Sequence, residues 1–181
     1  MKLSKEDGQL YYKLWLPLLD YVNEKFSINT RIKNMAGAKS LNPSDVKDIA
    51  DKMWDDVSVI DAYLSECTDF SEEHQDIIRS WKRRIRGKFI LERHLKNGSI
   101  FISMDNEQVY QVSGIISSWE EMFSYAPMPL MMEATFIPFK DVIISDGLVM
   151  PFNVRIGRNM ASGFKDIYMA AKKSKCLGSA L

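Results

Sequence analysis

Only two cysteines occur in 181 residues, Cys67 and Cys176, and neither lies in a CxxC pair or beside a histidine. That excludes a disulfide framework and a zinc site of the usual spacing. Histidine is equally scarce, with only His74 and His94, where a catalytic metal needs three or four ligands. Net charge is missing as well. Lys+Arg 24 against Asp+Glu 24 gives +0, so bulk charge points neither to a nucleic-acid coat nor to a membrane-surface protein. The uncharged run Met122 to Met132 is short of the roughly 20 residues that span a bilayer, and it holds Pro127 and Pro129. Met1 to Asp7 carries acids where a secretory leader needs an apolar stretch. These absences predict a chain with no membrane span, no leader and a reducing, cytoplasmic compartment. No repeat or low-complexity tract is present.

What remains is 46% hydrophobic, 27% charged and 11% aromatic, a balance that can bury a real core. The first half has helical periodicity. Leu10, Leu14, Leu18, Val22 and Phe26 recur at four-residue spacing, widened by Tyr11 and Trp15. Pro17 falls inside this pattern, where it removes an N–H and crowds the Lys13 carbonyl, predicting a kink or two successive helices. Ser27 to Asn42 is polar and reads as a loop, with at most a helical turn at Ile32 and Met35. Asn42-Pro43 supplies an N-cap and a first-turn proline. From there Val46, Ile49, Ala50, Met53, Val57, Ile60, Leu64 and Cys67 predict one helix to about Glu66, with Asp48, Asp51, Asp55 and Glu66 on its polar side. A third helix, capped by Ser71 and striped by Ile77, Ile78, Trp81 and Ile85, is predicted to end at Gly87.

Beyond Gly87 the apolar period changes to two. Phe89 to Lys96 predicts a strand, and Asn97-Gly98 a type I′ hairpin turn pairing Leu95 with Ile100 and Arg93 with Ile102. Further strands are predicted at Gln108–Ile115, Leu130–Phe139, Val142–Ser145 and Leu148–Met150, with Asp146-Gly147 as a tight turn. Ser117-x-x-Glu120 reads as a capping box opening a short helix through Phe123. A final helix is expected over Asn159–Lys175, with Lys172, Lys173 and Lys175 in its last turn. The pattern thus predicts an α+β fold: a helical part, 1–87, packed on a small antiparallel β-sheet or partly closed barrel, 88–181, that ends in a C-terminal helix.

No catalytic, metal or cofactor motif emerges. There is no GxSxG elbow and no HExxH pair. Gly157 to Lys165 is one residue too long between its glycines for a phosphate loop and lacks the Lys-Ser/Thr ending, although Arg158 and the helix start beside it could receive an anion. Glu133 stands alone in an apolar strand, so it must face water or meet a base such as Arg93 or Arg155. With Asp141 or Asp146 it would form the acid pair of a small hydrolase, a third-ranked reading.

Charge is segregated along the chain. Asn42 to Asp76 holds eleven acids against Lys47 and Lys52, a net of −9, and Arg79 to Gly98 holds eight bases against Glu92, a net of +7. On a helical wheel Arg79, Lys82, Arg83 and Arg86 form one stripe able to track phosphates, extended by Lys88, with Phe101 or Tyr110 available to stack on bases. The alternative for that stripe is pairing with the acidic helix. The second half is rich in methionine and aromatics, more than a hairpin can bury, and Tyr125-Ala-Pro-Met-Pro-Leu130 is the stretch best suited to an exposed apolar patch.

The segment Pro138-Phe139-Lys140-Asp141-Val142-Ile143-Ile144-Ser145-Asp146-Gly147-Leu148, after Pro-Leu-Met-Met-Glu-Ala, resembles an LPF(K/E)xxIIxDGL segment of uncharacterised bacterial proteins, in which a Tyr often stands at the place of Ser145. The likeness extends faintly to Tyr12-Lys-Leu-Trp15 and Asp20-Tyr-Val-Asn23. It implies a bacterial cytosolic origin and a β-rich C-terminal module, and it contributes no site residues. The expected function is non-catalytic: a protein-interaction module working through Tyr125, Met128 and Leu130 on a partner protein or a second copy. The alternative is a nucleic-acid-binding module using Arg79, Lys82, Arg83, Arg86 and Lys88.

Overall fold

The computed structural model describes residues 1–38, 41–174 and 176–178. The chain divides into two compact units, Glu6–Lys82 and a second made of Met1–Lys5 with Arg83–Leu181. The class is α+β; the described residues form six α-helices and a seven-stranded, mostly antiparallel sheet.

The first unit is helical. Helix α1 runs unbroken over Lys5–Phe26 with Pro17 inside it, so the expected division into two helices does not occur. Its buried face, Tyr11, Leu14, Trp15, Leu18, Leu19 and Val22, brackets the proline on both sides, and that burial outweighs one lost hydrogen bond. Trp15 sits among three rings, with centroids 5.9 Å from Tyr11, 5.4 Å from Trp54 and 5.6 Å from Trp81. The helix expected from Asn42 to Glu66 is in fact two, α2 (Pro43–Asp55) and α3 (Ser58–Glu66). Asn42 caps the first as its chemistry predicts, accepting from Ser44 N at 3.0 Å. The break falls at Asp56, whose backbone is extended and whose carboxylate accepts from Ser58 N at 3.0 Å. A short acidic side chain has here captured a backbone donor that helix propagation needs.

Helix α4 (Glu72–Ser80) begins at the expected Ser71 cap but stops early. A 3₁₀ turn, Trp81–Arg83, ends it, and strand β1 starts at Ile85 and runs to Leu95. Ile85, Arg86, Gly87 and Lys88 are therefore strand, paired with Phe136, Thr135, Ala134 and Glu133. The residues satisfy period two as well as period 3.6, and the distant partner strand decides between them.

The second unit holds the sheet: β1, β2 (Gly98–Ser103), β3 (Val109–Ser113), β4 (Leu130–Phe139), β5 (Val142–Ser145), β6 (Met150–Pro151) and β7 (Leu177–Gly178). Hydrogen bonding follows β1-β2-β3-β5-β4 and returns to β1, closing a five-strand ring, with β6 on β4 and β7 on β3. One face of the ring strands supplies Phe89, Leu91, Phe101, Val112, Met132, Phe136 and Ile143 to a single core. Phe101 of β2 meets Phe136 of β4 at 4.9 Å although their strands are not neighbours, so this face is the interior. The opposite face carries a second cluster, Ile90, Ile100, Ile102 and Val109, covered by Tyr168, Phe164 and Ile167 of helix α6 (Arg158–Lys173). Lys172 and Lys173 occupy its last turn as expected; Lys175 lies outside the described residues.

The β1–β2 hairpin departs from the expected register. The turn is Lys96-Asn97, with Leu95 opposite Gly98 and Arg93 opposite Ile100, and the glycine opens β2 at φ 133°. A bulge at Glu92 separates Leu91, opposite Phe101, from Arg93. The extra residue flips the alternation: Leu91 faces the interior, whereas Arg93 and Leu95 turn to the α6 side. There the Arg93 guanidinium lies 4.3 Å from the Tyr168 ring centroid and pairs with Glu92, Nη2 donating to Oε1 at 2.8 Å. His94, beside them, shares a 2.8 Å hydrogen bond with Ser99 Oγ. Burial holds this imidazole below its ordinary 6.5, with Glu120 acting in the opposite direction. The fold favours the neutral ring, so its contribution is intact above the unfolded pKa of about 6.5, declines below it and is lost as pH falls through the lower folded pKa. Urea titrations at pH 7.5 and 5.5 should show a loss at the lower pH that His94→Gln diminishes.

Two tight turns flank β5 where the expected strand ends place them. The tight β4–β5 turn is Lys140-Asp141, with Lys140 at φ 51°. Asp146-Gly147 does turn the chain, but β6 pairs with β4, so no β5–β6 hairpin forms. The capping box belongs to Ser118 and Glu121 rather than Ser117 and Glu120 and opens α5 (Trp119–Met122). That shift by one residue places Trp119 and Phe123, four apart, on the buried side.

Candidate functional site

In the sheet unit two segments face each other across a groove. Phe123 to Leu130 leads from α5 into β4, and Pro151 to Ile156 leads from β6 toward α6; the space between them is about 440 Å³. Each segment is pinned at its ends. Phe123 stacks on Trp119 at 6.0 Å, and Ala126 N donates to Phe123 O at 3.0 Å. Across the groove Phe152 N donates to Met131 O at 2.9 Å, while Ile156 packs into the cluster beneath α6. The middle of each segment is left to solvent: Tyr125 is 80% exposed, Met128 37% and Val154 52%. Met150, beside the groove, is also exposed.

Of the residues expected to form an apolar contact surface, Tyr125 and Met128 both lie on this groove. Leu130 needs correction. It borders the groove but is only 8% exposed and belongs to the ring core, because it begins β4 on the interior face. Sequence reasoning missed the second wall, Pro151 to Ile156. The stretch carries no motif; its one signal is a short apolar and polar alternation, Phe152, Val154 and Ile156 with Asn153 and Arg155 between them, which reads as a strand although only Pro151 belongs to one.

Among the groove-lining residues Arg155 is the only charged side chain, and no acid joins them. Among the described residues no ion pair of Arg155 occurs. The Lys88 ammonium adds positive charge at the back of one wall, 5.7 Å from the Phe152 ring centroid.

The basic residues do not share one helix. Arg79 is on α4 and bonded to Asp76 at 2.9 Å, Lys82 is on the 3₁₀ turn and bonded to Asp61 at 2.6 Å, and Arg83 ends that turn. Arg86 and Lys88 are on β1, where alternation rather than the helical wheel sets their direction. The aromatics offered for base stacking, Phe101 and Tyr110, are buried in the ring core.

The remaining candidates are engaged locally. Glu133 is half-buried and stands opposite Lys88 in the β1–β4 ladder, while Arg93, one of its expected partners, pairs with Glu92. Asp146 is buried; its carboxylate accepts from Leu148 N at 3.0 Å and its own N–H donates to Thr135 O at 3.0 Å. It thus shapes the turn after β5. Gly157 precedes α6 without a side-chain cap, and Arg158 after it is exposed. Among the described residues no group of three or more His, Cys, Asp or Glu could hold a metal ion, and no helix is long and apolar enough to cross a membrane.

A second concavity, about 420 Å³, lies in the helical unit between the end of α1 and the loop after it. Its polar groups hold the loop in place. Asn23 donates to Asn29 O and Ile32 O at 3.0 and 2.9 Å, and the Asp20 carboxylate accepts from Met35 N. Burial raises the Asp20 pKa, and the Met35 N–H bond opposes that shift.

Compared with known proteins, the chain matches no family model, no curated protein and no solved structure.

Proposed function

We propose that this chain is a non-catalytic protein-interaction module of the bacterial cytoplasm, and that its groove takes an apolar segment of a partner protein. The observation that carries the reading is the position of Tyr125 and Met128, apolar side chains left in water on a groove whose walls are tied to the core at their ends. Exposed aromatic and methionine side chains are enriched at interfaces because the rigid rings bury large area at little entropic cost and the flexible thioether adapts to the partner's shape. Two free cysteines agree with a reducing compartment.

A photo-crosslinking amino acid placed at position 125 should yield a discrete adduct in cells. Met128→Asp should weaken that association at least tenfold, about 1.4 kcal/mol, because docking would then desolvate a carboxylate against apolar walls. Adduct formation that Met128→Asp leaves unchanged would remove the groove as the contact surface.

A further inference from the structure

We infer that the groove selects an extended peptide in which a large apolar side chain lies next to a carboxylate. This deepens the docking reading above and rests on it. Three features of the groove converge on that ligand.

The first is an open sheet edge. Among the described residues strand β6 pairs only with β4, Met150 opposite Glu133 and Pro151 opposite Met132, and one further bond runs from Phe152 N to Met131 O. The Phe152 N–H points to β4, and a γ-turn follows at once, Val154 N donating to Phe152 O at 2.9 Å, so the extended stretch ends at Phe152. Pro151 has no N–H, and among the described residues the Asn153 N–H meets no acceptor. A partner main chain therefore meets one open donor, the Asn153 N–H, at the end of a two-residue edge and no continuous ladder, which suits a short extended segment rather than a long strand.

The second is room for a side chain. Phe123, Tyr125, Met128 and Pro129 face this edge across the groove, and about 440 Å³ between the walls accommodates one large apolar side chain with its flanking backbone. The third is charge. Arg155 lies two residues from Asn153 on the same wall, is exposed, and is the only charged lining residue, with no acid to neutralise it. A guanidinium fork in that position matches a carboxylate in two-pronged geometry and rejects a cationic segment.

The test uses the full chain, isotope-labelled for amide NMR, with the capped peptide Ac-Ser-Ile-Phe-Asp-Val-Ser-NH2 as probe. Its comparators replace Asp by Asn, Asp by Lys, or Phe by Ser. The Phe-Asp peptide at millimolar concentration should shift the amides of Tyr125, Asn153 and Arg155. The Asn peptide should bind at least tenfold more weakly, and Arg155→Gln should erase that difference while Arg155→Lys preserves part of it. Both substitutions fall on an exposed side chain, and an otherwise unchanged amide spectrum verifies the fold. Equal affinity for the Asp and Asn peptides would overturn this inference and leave the docking reading standing. No shift with any Phe-containing peptide would overturn both. Equal binding of hexanoate would show that a small amphipathic acid suffices and remove the peptide. Concentration-dependent shifts of the same amides without any peptide would make a second copy the occupant and overturn the inference.

Discussion

Phe136→Ala is expected to cost about 4 kcal/mol of stability, the middle of the range for a buried phenylalanine. Phe136 is fully buried, and its ring lies 4.4 Å from Phe89, 4.9 Å from Phe101 and 6.5 Å from Trp119. It sits where β4 changes partners, opposite Ile85 of β1 and Ser145 of β5, so its side chain fills the place where the ring closes. The loss combines the transfer free energy of the ring with a cavity that closed strands collapse into poorly. Trp119 stacks on Phe123, so the cavity also loosens one wall of the groove. Urea denaturation followed by circular dichroism measures the effect; a midpoint close to wild type would show that the ring core is not packed as described.

Gly114→Ala should be nearly as severe, about 3 kcal/mol, at the upper end for overpacking. A Cβ at this position would stand 1.9 Å from the Ser117 carbonyl oxygen and 3.0 Å from Ser118 Cα. Both obstacles are backbone, so no rotamer change relieves them. Ser118 must move, yet its hydroxyl accepts from Glu121 N and its N–H donates to the Glu121 carboxylate, the reciprocal pair that starts α5. Displacing it withdraws Trp119 from Phe101 and moves Phe123, so thermal stability and peptide binding at the groove should fall together. Gly163→Ala is the control of opposite sign. Gly163 lies inside α6 with nothing within 4 Å of an added Cβ, and alanine there should stabilise the protein by about 0.5 to 1 kcal/mol through helix propensity. Paired melting curves of the two alanine variants check both signs at once.

The groove was half legible in the sequence. Tyr125 and Met128 stand out because apolar side chains between prolines cannot all join a regular buried face. Arg155 and Asn153 have no such signature, since what makes them a wall is the return of the chain onto β4 through β6. The basic stripe failed for a related reason: a helical wheel is meaningful only if the segment stays helical, and pairing of Ile85 to Lys88 with β4 ends that premise.

What the sequence by itself determined was whatever rests on local chemistry and short periods. The Asn42 and Ser71 caps, the amphipathic α6, the span of β4 and the strand period beyond Gly87 all depend on residues a few positions apart. Tertiary structure decided the rest. Closure of the ring, the Glu92 bulge that sends Leu91 inward and Arg93 onto Tyr168, and the meeting of Tyr125 with Phe152 and Arg155 join residues far apart in the chain. Local sequence offers nearly equal alternatives at these points, and the free energy of burying both faces of the sheet selects among them only when the distant partners are in place.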